Sequence, residues 1–440
     1  TIRVLATRGA QFPFWFDSGR DAIISRAIIE RGDLKIQGPS ASGTGDSVFH
    51  GVLYYYLIGP LYTVFAGNPL AVLKVMIGFS SLAVVPVYFL SYHLSKNRKI
   101  AFLAGLFFCF SLEAFRSGTW LSNPIIATLT LPTFFYLFYL VFFEHQRKLL
   151  PLLTLSLALT QQAAILFAPW WGIVGLGFFL DFQKKQLSKW CVKTIILAII
   201  SYLLGVFTMI LAQLKVYFAG VFTLRSLAEY ASWSGADDNR IISETWSLFL
   251  QKIVNSFAPT LPILAIFLAI VTLLFVKNKL SKNQRWMLLI ISTSPLWLLS
   301  WHFRNMYHTL ISLEVVVVIC LAWLTFVLWQ KKATKCLAIG LFVIFVLTNY
   351  RGYQVELQAK KSKYFVPQGA YLKDLLDAID YSYSQAQGKP FSISTITNPY
   401  GFNSLWAYLY SWYGQKNYGY KPFYFGPDQI GIFGGDLLTL

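Results

Sequence analysis

Acidic side chains near the amino end of the chain have a spacing that could support proton transfer. Asp17, Asp21 and Ser25 recur at every fourth residue, and apolar residues fill positions 23, 24, 27 and 28. This period predicts a helix that carries both carboxylates on one face. A carboxylate within hydrogen-bond reach of a hydroxyl can take its proton and activate it as a nucleophile. Asp17 is therefore a candidate general base, and the alternative is that it caps the helix.

Basic side chains elsewhere could bind an anion. Arg20 lies between the two acids, and Arg116 follows Glu113 by three residues at the outer end of a predicted membrane span. Arg304 and His308 are four residues apart and would share a helical face. Phosphate binding and pairing with Glu113 remain equal alternatives for Arg116. For Arg304 and His308 the alternative is an ordinary belt of interfacial residues.

The composition identifies the environment of these residues. The chain has 440 residues, of which 56% are hydrophobic and only 13% are charged, and its mean hydropathy is +0.54. Soluble proteins need about 25% charged residues to cover their surface. The sequence therefore predicts an all-α polytopic membrane protein.

Apolar segments alternate with short basic ones. The ten predicted spans cover residues 70–92, 100–117, 124–143, 149–163, 164–180, 191–216, 258–276, 286–301, 309–329 and 336–349. Basic segments at 96–99, 147–148, 184–193, 277–285 and 331–335 fall at every second junction, which is the cytoplasmic side by the positive-inside rule. Topology therefore accounts for much of the net charge of +18, and nucleic-acid binding is not expected.

Three longer stretches are predicted to face outward. They cover residues 1–69, 218–257 and 350–440. Residues 50–67 are aromatic-rich and predict a second interfacial helix in the first stretch. Residues 1–349 then form a transmembrane module, and residues 350–440 form a small α/β extracytoplasmic domain with a helix at 368–380, a strand near 391–394 and an aromatic helix at 403–413. One more span before Thr1 and further residues after Leu440 are expected.

The predicted first outer loop contains four short motifs. The motifs are Phe16-Asp17-Ser18-Gly19-Arg20-Asp21-Ala22, Gly32-Asp33-Leu34, Gly38-Pro39 and Gly51-Val52-Leu53-Tyr54. This run resembles the first outer loop of GT-C glycosyltransferases, in particular the branch of protein O-mannosyltransferases and bacterial aminoarabinose (ArnT-type) transferases. The alternation of spans is similar to that family up to about residue 349. Ser18 stands where the family usually has Glu, which leaves open whether Asp17 alone or both acids serve the chemistry.

The resemblance implies a membrane enzyme that transfers a sugar, with inversion, from a polyprenyl phosphate donor to a lipid, protein or glycan acceptor. The reaction would take place at the extracytoplasmic face of a prokaryotic cytoplasmic membrane. It assigns catalysis to Asp17 with help from Asp21. The implied donor-phosphate residues are Arg20, Arg116, Arg304 and His308, and the implied substrate-binding residues are Tyr54, Tyr55, Glu113, Asn123 and Tyr307.

No cofactor is expected, and a divalent cation is a minor alternative. Asp17 and Asp21 together with Asp237 and Asp238 could bind such an ion, as in oligosaccharyltransferases of the wider GT-C group. Two other functions remain alternatives to the transferase. One is a transporter or flippase of lipid-linked sugars, which would need charged residues near the bilayer midplane. The other is a binding or scaffold subunit without activity.

Overall fold

Helices make up nearly all of the regular structure. The computed structural model describes residues 3–4, 7–39, 49–218, 238–294, 296, 307–311, 313–360, 370–395 and 403–424, without the side chains of 238–241, 273, 275–279 and 424. The first helices are α1 (Phe16–Arg31), α2 (Leu53–Val64), α3 (Pro69–Ser81), α4 (Val84–Ser95), α5 (Arg98–Phe110), α6 (Leu112–Gly118), α7 (Ala127–Phe142), α8 (Leu150–Ala163) and α9 (Trp171–Gln183). They continue as α10 (Val192–Gly205), α11 (Phe207–Phe218), α12 (Asp238–Phe257), α13 (Pro262–Lys279), α14 (Lys282–Thr293), α15 (Leu313–Gln330), α16 (Lys335–Ala359), α17 (Leu372–Ala386), α18 (Ser404–Leu409) and α19 (Gln415–Tyr418).

Short elements connect the helices. The 3-10 turns are Arg8–Ala10, Asn123–Ile126, Arg147–Leu149, Ile165–Trp170, Leu187–Lys189, Tyr307–Leu310 and Lys332–Thr334, and a π-helical turn covers Tyr410–Gly414. Strands β1 (Ser392–Ile393) and β2 (Phe423–Tyr424) pair in parallel, with Ser392 opposite Phe423. The predicted strand near 391–394 and the predicted helices on either side of it are therefore present.

The membrane-spanning helices confirm the predicted polytopic all-α architecture. Within the described residues, the single segments long and apolar enough to cross a bilayer are Pro69–Ser95, Asn123–Phe142, Ile165–Gln183, Tyr307–Gln330 and Lys332–Ala359. Three bent pairs qualify if each counts as one span: α5 with α6 (61°), α10 with α11 (64°), and Ile242–Phe257 with Pro262–Thr272 (90°). The described part of the chain thus has up to eight such spans.

Of the ten predicted spans, one is too short to cross a bilayer as a single helix, and another is only partly described. The span predicted at 149–163 corresponds to α8, which has 14 residues. At 1.5 Å per residue it measures about 21 Å, less than the roughly 30 Å of a hydrocarbon core. The span predicted at 286–301 begins inside α14, which has 12 residues, and most of its remainder lies outside the described residues.

The bend between α5 and α6 has an identifiable cause. Ser111 adopts an extended conformation, and its hydroxyl accepts a hydrogen bond from the N–H of Ala114. The N–H of Leu112, which the bend leaves without a helical partner, donates to Oδ1 of Asn349 in α16 at 2.7 Å. Two of the N–H groups that a helix start leaves without an intrahelical partner are therefore satisfied, and α6 can carry charged side chains away from the axis of α5.

Helices α1 and α2 of the first outer loop cross at close range. Gly59 makes this possible, since a Cβ at this position would lie 2.7 Å from the carbonyl oxygen of Ser25. The side chains of Tyr54, Tyr55 and Tyr62 on α2 are each only 1% exposed. The second predicted interfacial helix therefore exists, and packing against α1 buries one of its faces.

The carboxyl-terminal segment packs directly on this outer loop. Phe14 donates its backbone N–H to Ala370, and Leu372 donates to Phe12, at 2.8 and 3.0 Å. A Cβ at Gly19 of α1 would lie 2.8 Å from the Cα of Leu405, so α1 and α18 are in backbone contact. In addition, α16 continues to Ala359, ten residues past the predicted end of the last span at 349. Helix α16 therefore extends from the transmembrane region into the carboxyl-terminal region, and α1 packs against the carboxyl-terminal region.

Candidate active site

The amino end of α1 presents Asp17 at the surface of the outer loop. The helix begins at Phe16, and Trp15 occupies the N-cap position without a side-chain cap hydrogen bond. Asp17 lies in the first helical turn, so the alternative assignment of this residue as the N-cap is wrong. Its side chain is 29% exposed, and its Oδ1 lies 2.7 Å from Nη1 of Arg20. Asp17 is therefore an accessible carboxylate with one cationic partner.

Asp21 differs from Asp17 in its exposure. Its side chain is 1% exposed, and its Oδ1 accepts hydrogen bonds from Nε and Nη2 of Arg20 at 2.9 and 2.7 Å. Burial raises the pKa of Asp21 to about 6, although Arg20 acts in the opposite direction. Burial alone would lower the pKa of Arg20, but Asp21 and Asp17 hold it well above its ordinary value. Asp21 therefore fixes the Arg20 guanidinium beside Asp17.

The buried side chains of Tyr54 and Tyr55 lie next to Asp21 and Arg20. Burial raises the pKa of both phenols, and the charge of Asp21 acts in the same direction. Within the described residues, neither hydroxyl nor the Oδ2 of Asp21 has a hydrogen-bond partner of standard geometry. Buried polar groups are normally satisfied by protein, water or ligand. These three buried oxygen atoms lie close together beside Arg20.

His50 interacts electrostatically with both Arg20 and His308. The pKa of His50 is lowered to about 3, chiefly by burial and then by the charges of His308 and Arg20. The ring of His308 lies 5.7 Å from that of Trp120, measured between centroids. The hydroxyl of Ser18 donates to the carbonyl of Leu121 at 3.1 Å, so α1 rests on the same segment. The fold thus brings Asp17, Arg20, Tyr54 and Tyr55 together, and His50 and the Trp120–Leu121 segment connect this group to His308.

A buried ionic cluster adjoins this neighbourhood. Glu113 on α6 receives Nζ of Lys252 from α12 at 2.5 Å and the hydroxyl of Tyr307 at 2.6 Å. The Tyr307 hydroxyl also accepts from Arg116 and from the side-chain amide of Asn255, both at 3.1 Å. The Tyr307 oxygen therefore makes one donor and two acceptor bonds, which is its full capacity. The cluster fixes Tyr307, and with it the start of the turn that carries His308.

Arg116 is held within the same cluster. It pairs with Glu113 on its own helix and with both carboxylate oxygens of Glu356 on α16. The pairing with Glu113 that the sequence offers as an alternative is thus present. Lys252 also pairs with Glu314 on α15, with its Nζ 3.5 Å from Oε2. Four helices are thereby joined through charged side chains.

The remaining predicted site residues lie elsewhere. The amide of Asn123 donates to the carbonyl of Ala163 at 2.5 Å, and its oxygen accepts from Ser122, so it ties the turn before α7 to the end of α8. Arg304 and Asp237 lie outside the described residues, as does the side chain of Asp238. Among the described residues there is no grouping of three His, Cys, Asp or Glu side chains able to hold a metal ion.

Three residues of these groups were not predicted from the sequence. Lys252 stands among Leu248, Phe249 and Ile253, and a single cation on an apolar helical face is the signal that could have revealed it. Glu356 lies beyond the predicted end of the last span and carries no local signal. His50 immediately precedes the motif Gly51-Val52-Leu53-Tyr54, whose tyrosine and the tyrosines after it are more prominent.

Comparison with known proteins supports the architecture. No protein-family model matches the sequence, and no curated protein matches it. Among solved structures, the chain is similar to ArnT from Cupriavidus metallidurans bound to undecaprenyl phosphate, with a TM-score of 0.59 and 10% sequence identity. The similarity covers 100% of this chain and 88% of that chain.

The chain has an ArnT-like fold. This agrees with the GT-C-like architecture implied by the motifs of the first outer loop, and it holds over the whole length of the chain. At 10% identity the likeness concerns the fold, so the chemistry has to be argued from the side chains. Together with the apolar spans, the fold identifies an integral membrane protein.

Proposed function

We propose that the protein is a glycosyltransferase that moves a sugar from a polyprenyl-phosphate-linked donor to an acceptor. The acceptor is a lipid, a protein or a glycan at the extracytoplasmic face of a prokaryotic cytoplasmic membrane. The observation that carries this proposal is the pair of Asp17 and Arg20 at 2.7 Å, on a helix of the first outer loop in an ArnT-like fold. The structure of ArnT contains undecaprenyl phosphate, which supports the donor class.

In the proposed reaction Asp17 is the general base. Its carboxylate takes the proton of the acceptor hydroxyl while the hydroxyl oxygen bonds to the anomeric carbon. The bond between that carbon and the phosphate oxygen breaks, and its electron pair leaves with the phosphate. The sugar passes through an oxocarbenium-like state that nearby negative charge stabilises. Asp21, being buried, acts on Arg20 and not directly on the sugar.

The leaving phosphate needs cations, and Arg20 is the best-placed one. Asp21 and Asp17 hold its guanidinium between their carboxylates. His308 and, outside the described residues, Arg304 are the further candidates. The guanidinium of Arg116 already has two carboxylate partners, so we assign Arg116, Glu113 and Tyr307 to the support of His308.

Tyr54 and Tyr55 are proposed to contact the sugar or the phosphate beside Arg20. Asn123 is proposed to support the segment under α1, since its amide is occupied by Ala163. The proposal requires no cofactor and no resident metal. A divalent cation would have to involve Asp237 or Asp238 to gain the ligands that Asp17 and Asp21 do not supply.

A transporter of lipid-linked sugars is the main alternative. It would need charged residues near the bilayer midplane. Glu314 lies in the first turn of α15, and Lys215 lies in the last turn of α11. These charges stand at the ends of their helices, so they do not favour transport.

The test is the variant Asp17→Asn in purified protein reconstituted into liposomes. A panel of undecaprenyl-phosphate-linked radiolabelled sugars serves as donor, and a membrane extract serves as the source of acceptors. We expect transfer to fall about 100- to 10,000-fold, because general base catalysis contributes that much. Asp33→Asn is the matched control, since Asp33 is an exposed acid of the same loop, paired with Lys35. Full activity of Asp17→Asn would remove Asp17 from the mechanism, and movement of label across the bilayer without transfer would favour the transporter.

A further inference from the structure

A cavity of about 620 Å³ lies between the bend of α5 and α6, the second half of α16 and the first residues of the chain. Most of its lining side chains are apolar. On α16 they include Leu347 and Tyr350, which are 52% and 56% exposed. Both belong to the membrane-spanning segment Lys332–Ala359, so this side of the cavity opens toward the lipid. The volume is within the range of ordinary ligand sites.

Two arginines form the polar end of the cavity. The side chain of Arg3 is buried, and its Cζ lies 5.7 Å from the centre of the Phe108 ring. A Cβ at Gly118 would lie 2.6 Å from Nη1 of Arg3, so the guanidinium rests directly on this glycine. Arg8 lines the same cavity from an exposed position. Within the described ranges, neither guanidinium makes a hydrogen bond or an ion pair.

The buried guanidinium of Arg3 needs an acceptor. Burial lowers its pKa to about 10, although Cys109 and Glu314 act in the opposite direction, so the group is still charged at neutral pH. Buried charges are normally paired or hydrogen-bonded. No aspartate or glutamate is among the described residues that line the cavity. The ligand that suits this end of the cavity is therefore an anion that binds from outside.

We infer that the cavity binds an anionic phospholipid of the surrounding bilayer, whose headgroup phosphate contacts Arg3 and Arg8 and whose chains lie along α16. The apolar walls and the opening toward the bilayer favour a lipid over free phosphate. A zwitterionic headgroup suits the cavity less well, because its ammonium group would meet two guanidinium groups and no carboxylate.

This site is separate from the proposed donor site. The described residues that line the cavity come from the first residues of the chain, α5, α6, the bend between them, and α16, and none belongs to α1 or α2. A lipid in the cavity therefore does not contact Asp17 or Arg20 and is not the reacting molecule. It joins the bent pair of α5 and α6 to α16, and the inference does not depend on the proposed transferase activity.

The experiment measures dissociation constants by native mass spectrometry of the purified protein in a non-ionic detergent. The probes are phosphatidylglycerol, phosphatidylethanolamine, undecaprenyl phosphate and inorganic phosphate. The variants are Arg3→Gln and Arg8→Gln, and the second serves if the first fails to fold, because Arg8 is exposed. Arg351→Gln is the matched control, since Arg351 is an exposed arginine of α16 that does not line the cavity.

The wild-type protein is expected to bind phosphatidylglycerol about tenfold more tightly than phosphatidylethanolamine. Arg3→Gln should weaken the binding of phosphatidylglycerol about 10- to 100-fold, the effect of hydrogen bonds between charged groups. Arg8→Gln should weaken it about two- to fivefold, because exposed ion pairs contribute less. Arg351→Gln should leave it unchanged, and no variant of this set should alter the binding of undecaprenyl phosphate.

Equal binding of the two phospholipids by the wild-type protein, or equal affinities of Arg3→Gln and Arg351→Gln for phosphatidylglycerol, would overturn the site and leave the cavity to a protein segment. Displacement of phosphatidylglycerol by inorganic phosphate would identify a site for free anions instead. Tighter, Arg3-dependent binding of undecaprenyl phosphate would assign the cavity to the donor. Each of these results contradicts the phospholipid assignment, whereas failure of the proposed function would appear only in the transfer assay with Asp17→Asn.

Discussion

The ion pair between Lys252 and Glu113 gives a prediction whose magnitude follows from burial. Both side chains are 0% exposed, and Nζ lies 2.5 Å from Oε2. The substitution Lys252→Met keeps a side chain of similar length and leaves Glu113 with a buried carboxylate oxygen that has lost its cation. Breaking a buried pair by removing one partner costs about 3–5 kcal/mol. Arg116 and Tyr307 still bind the other oxygen, so we expect the lower end, about 3 kcal/mol.

The measurement is the free energy of unfolding in detergent, followed by tryptophan fluorescence during titration with a denaturing surfactant. Lys373→Met is the matched control, because Lys373 pairs with Asp377 at 2.7 Å while both side chains remain about half exposed. Exposed pairs contribute about 0.2–1 kcal/mol. The same substitution should thus cost several times more at position 252 than at position 373.

A double-mutant cycle with Glu113→Gln isolates the pair. The two substitutions together should cost less than the sum of the single effects by about 0.5–3 kcal/mol, because neither leaves the other charge unpaired. Equal costs for Lys252→Met and Lys373→Met, or additive effects in the cycle, would refute the reasoning that burial determines the energy of this contact.

Three further predictions concern stability. Because burial raises the pKa of Asp21 to about 6 from its ordinary 3.8, the native state keeps its proton to higher pH, and stability should fall by about 2 kcal/mol between pH 4 and 7. Asp21→Asn should flatten this dependence in a series of melting curves, and an unchanged slope would contradict it. Gly59→Ala should lower the free energy of unfolding by about 1–3 kcal/mol, because its new Cβ meets the backbone of α1. Gly78→Ala has open space around it and should be neutral or stabilising in the same thermal assay. Equal effects of the two substitutions would exclude the close crossing of α1 and α2. Asn349→Leu leaves the N–H of Leu112 without its acceptor and should lower the free energy of unfolding by about 1–3 kcal/mol. A change below about 0.5 kcal/mol in the same melting curves would mean that this N–H finds another acceptor.

Much of the architecture could be predicted from the sequence because it depends on local composition and period. The shortage of charge predicts a membrane protein, and the four-residue recurrence of Asp17 and Asp21 predicts the helix α1 that the structure contains. Gly32 also ends that helix as expected of glycine, in a left-handed conformation at φ 69° with its N–H bonded to Ala27. Span lengths were less predictable, since the ends of α8 and the bend at Ser111 depend on neighbouring helices.

The sequence by itself determined which residues share a helical face, because the helical period relates positions a few residues apart. The sequence could not show which of the two acids is accessible. The side chain of Asp17 is 29% exposed and that of Asp21 is 1% exposed, because α1 packs against other segments. Only the tertiary structure brought Lys252 and Glu356 to Glu113 and Arg116 across 139 and 240 residues of chain. The physical reason is that a buried charge needs an opposite charge at hydrogen-bond distance, and the chain meets that need through folding, wherever along its length the partner stands.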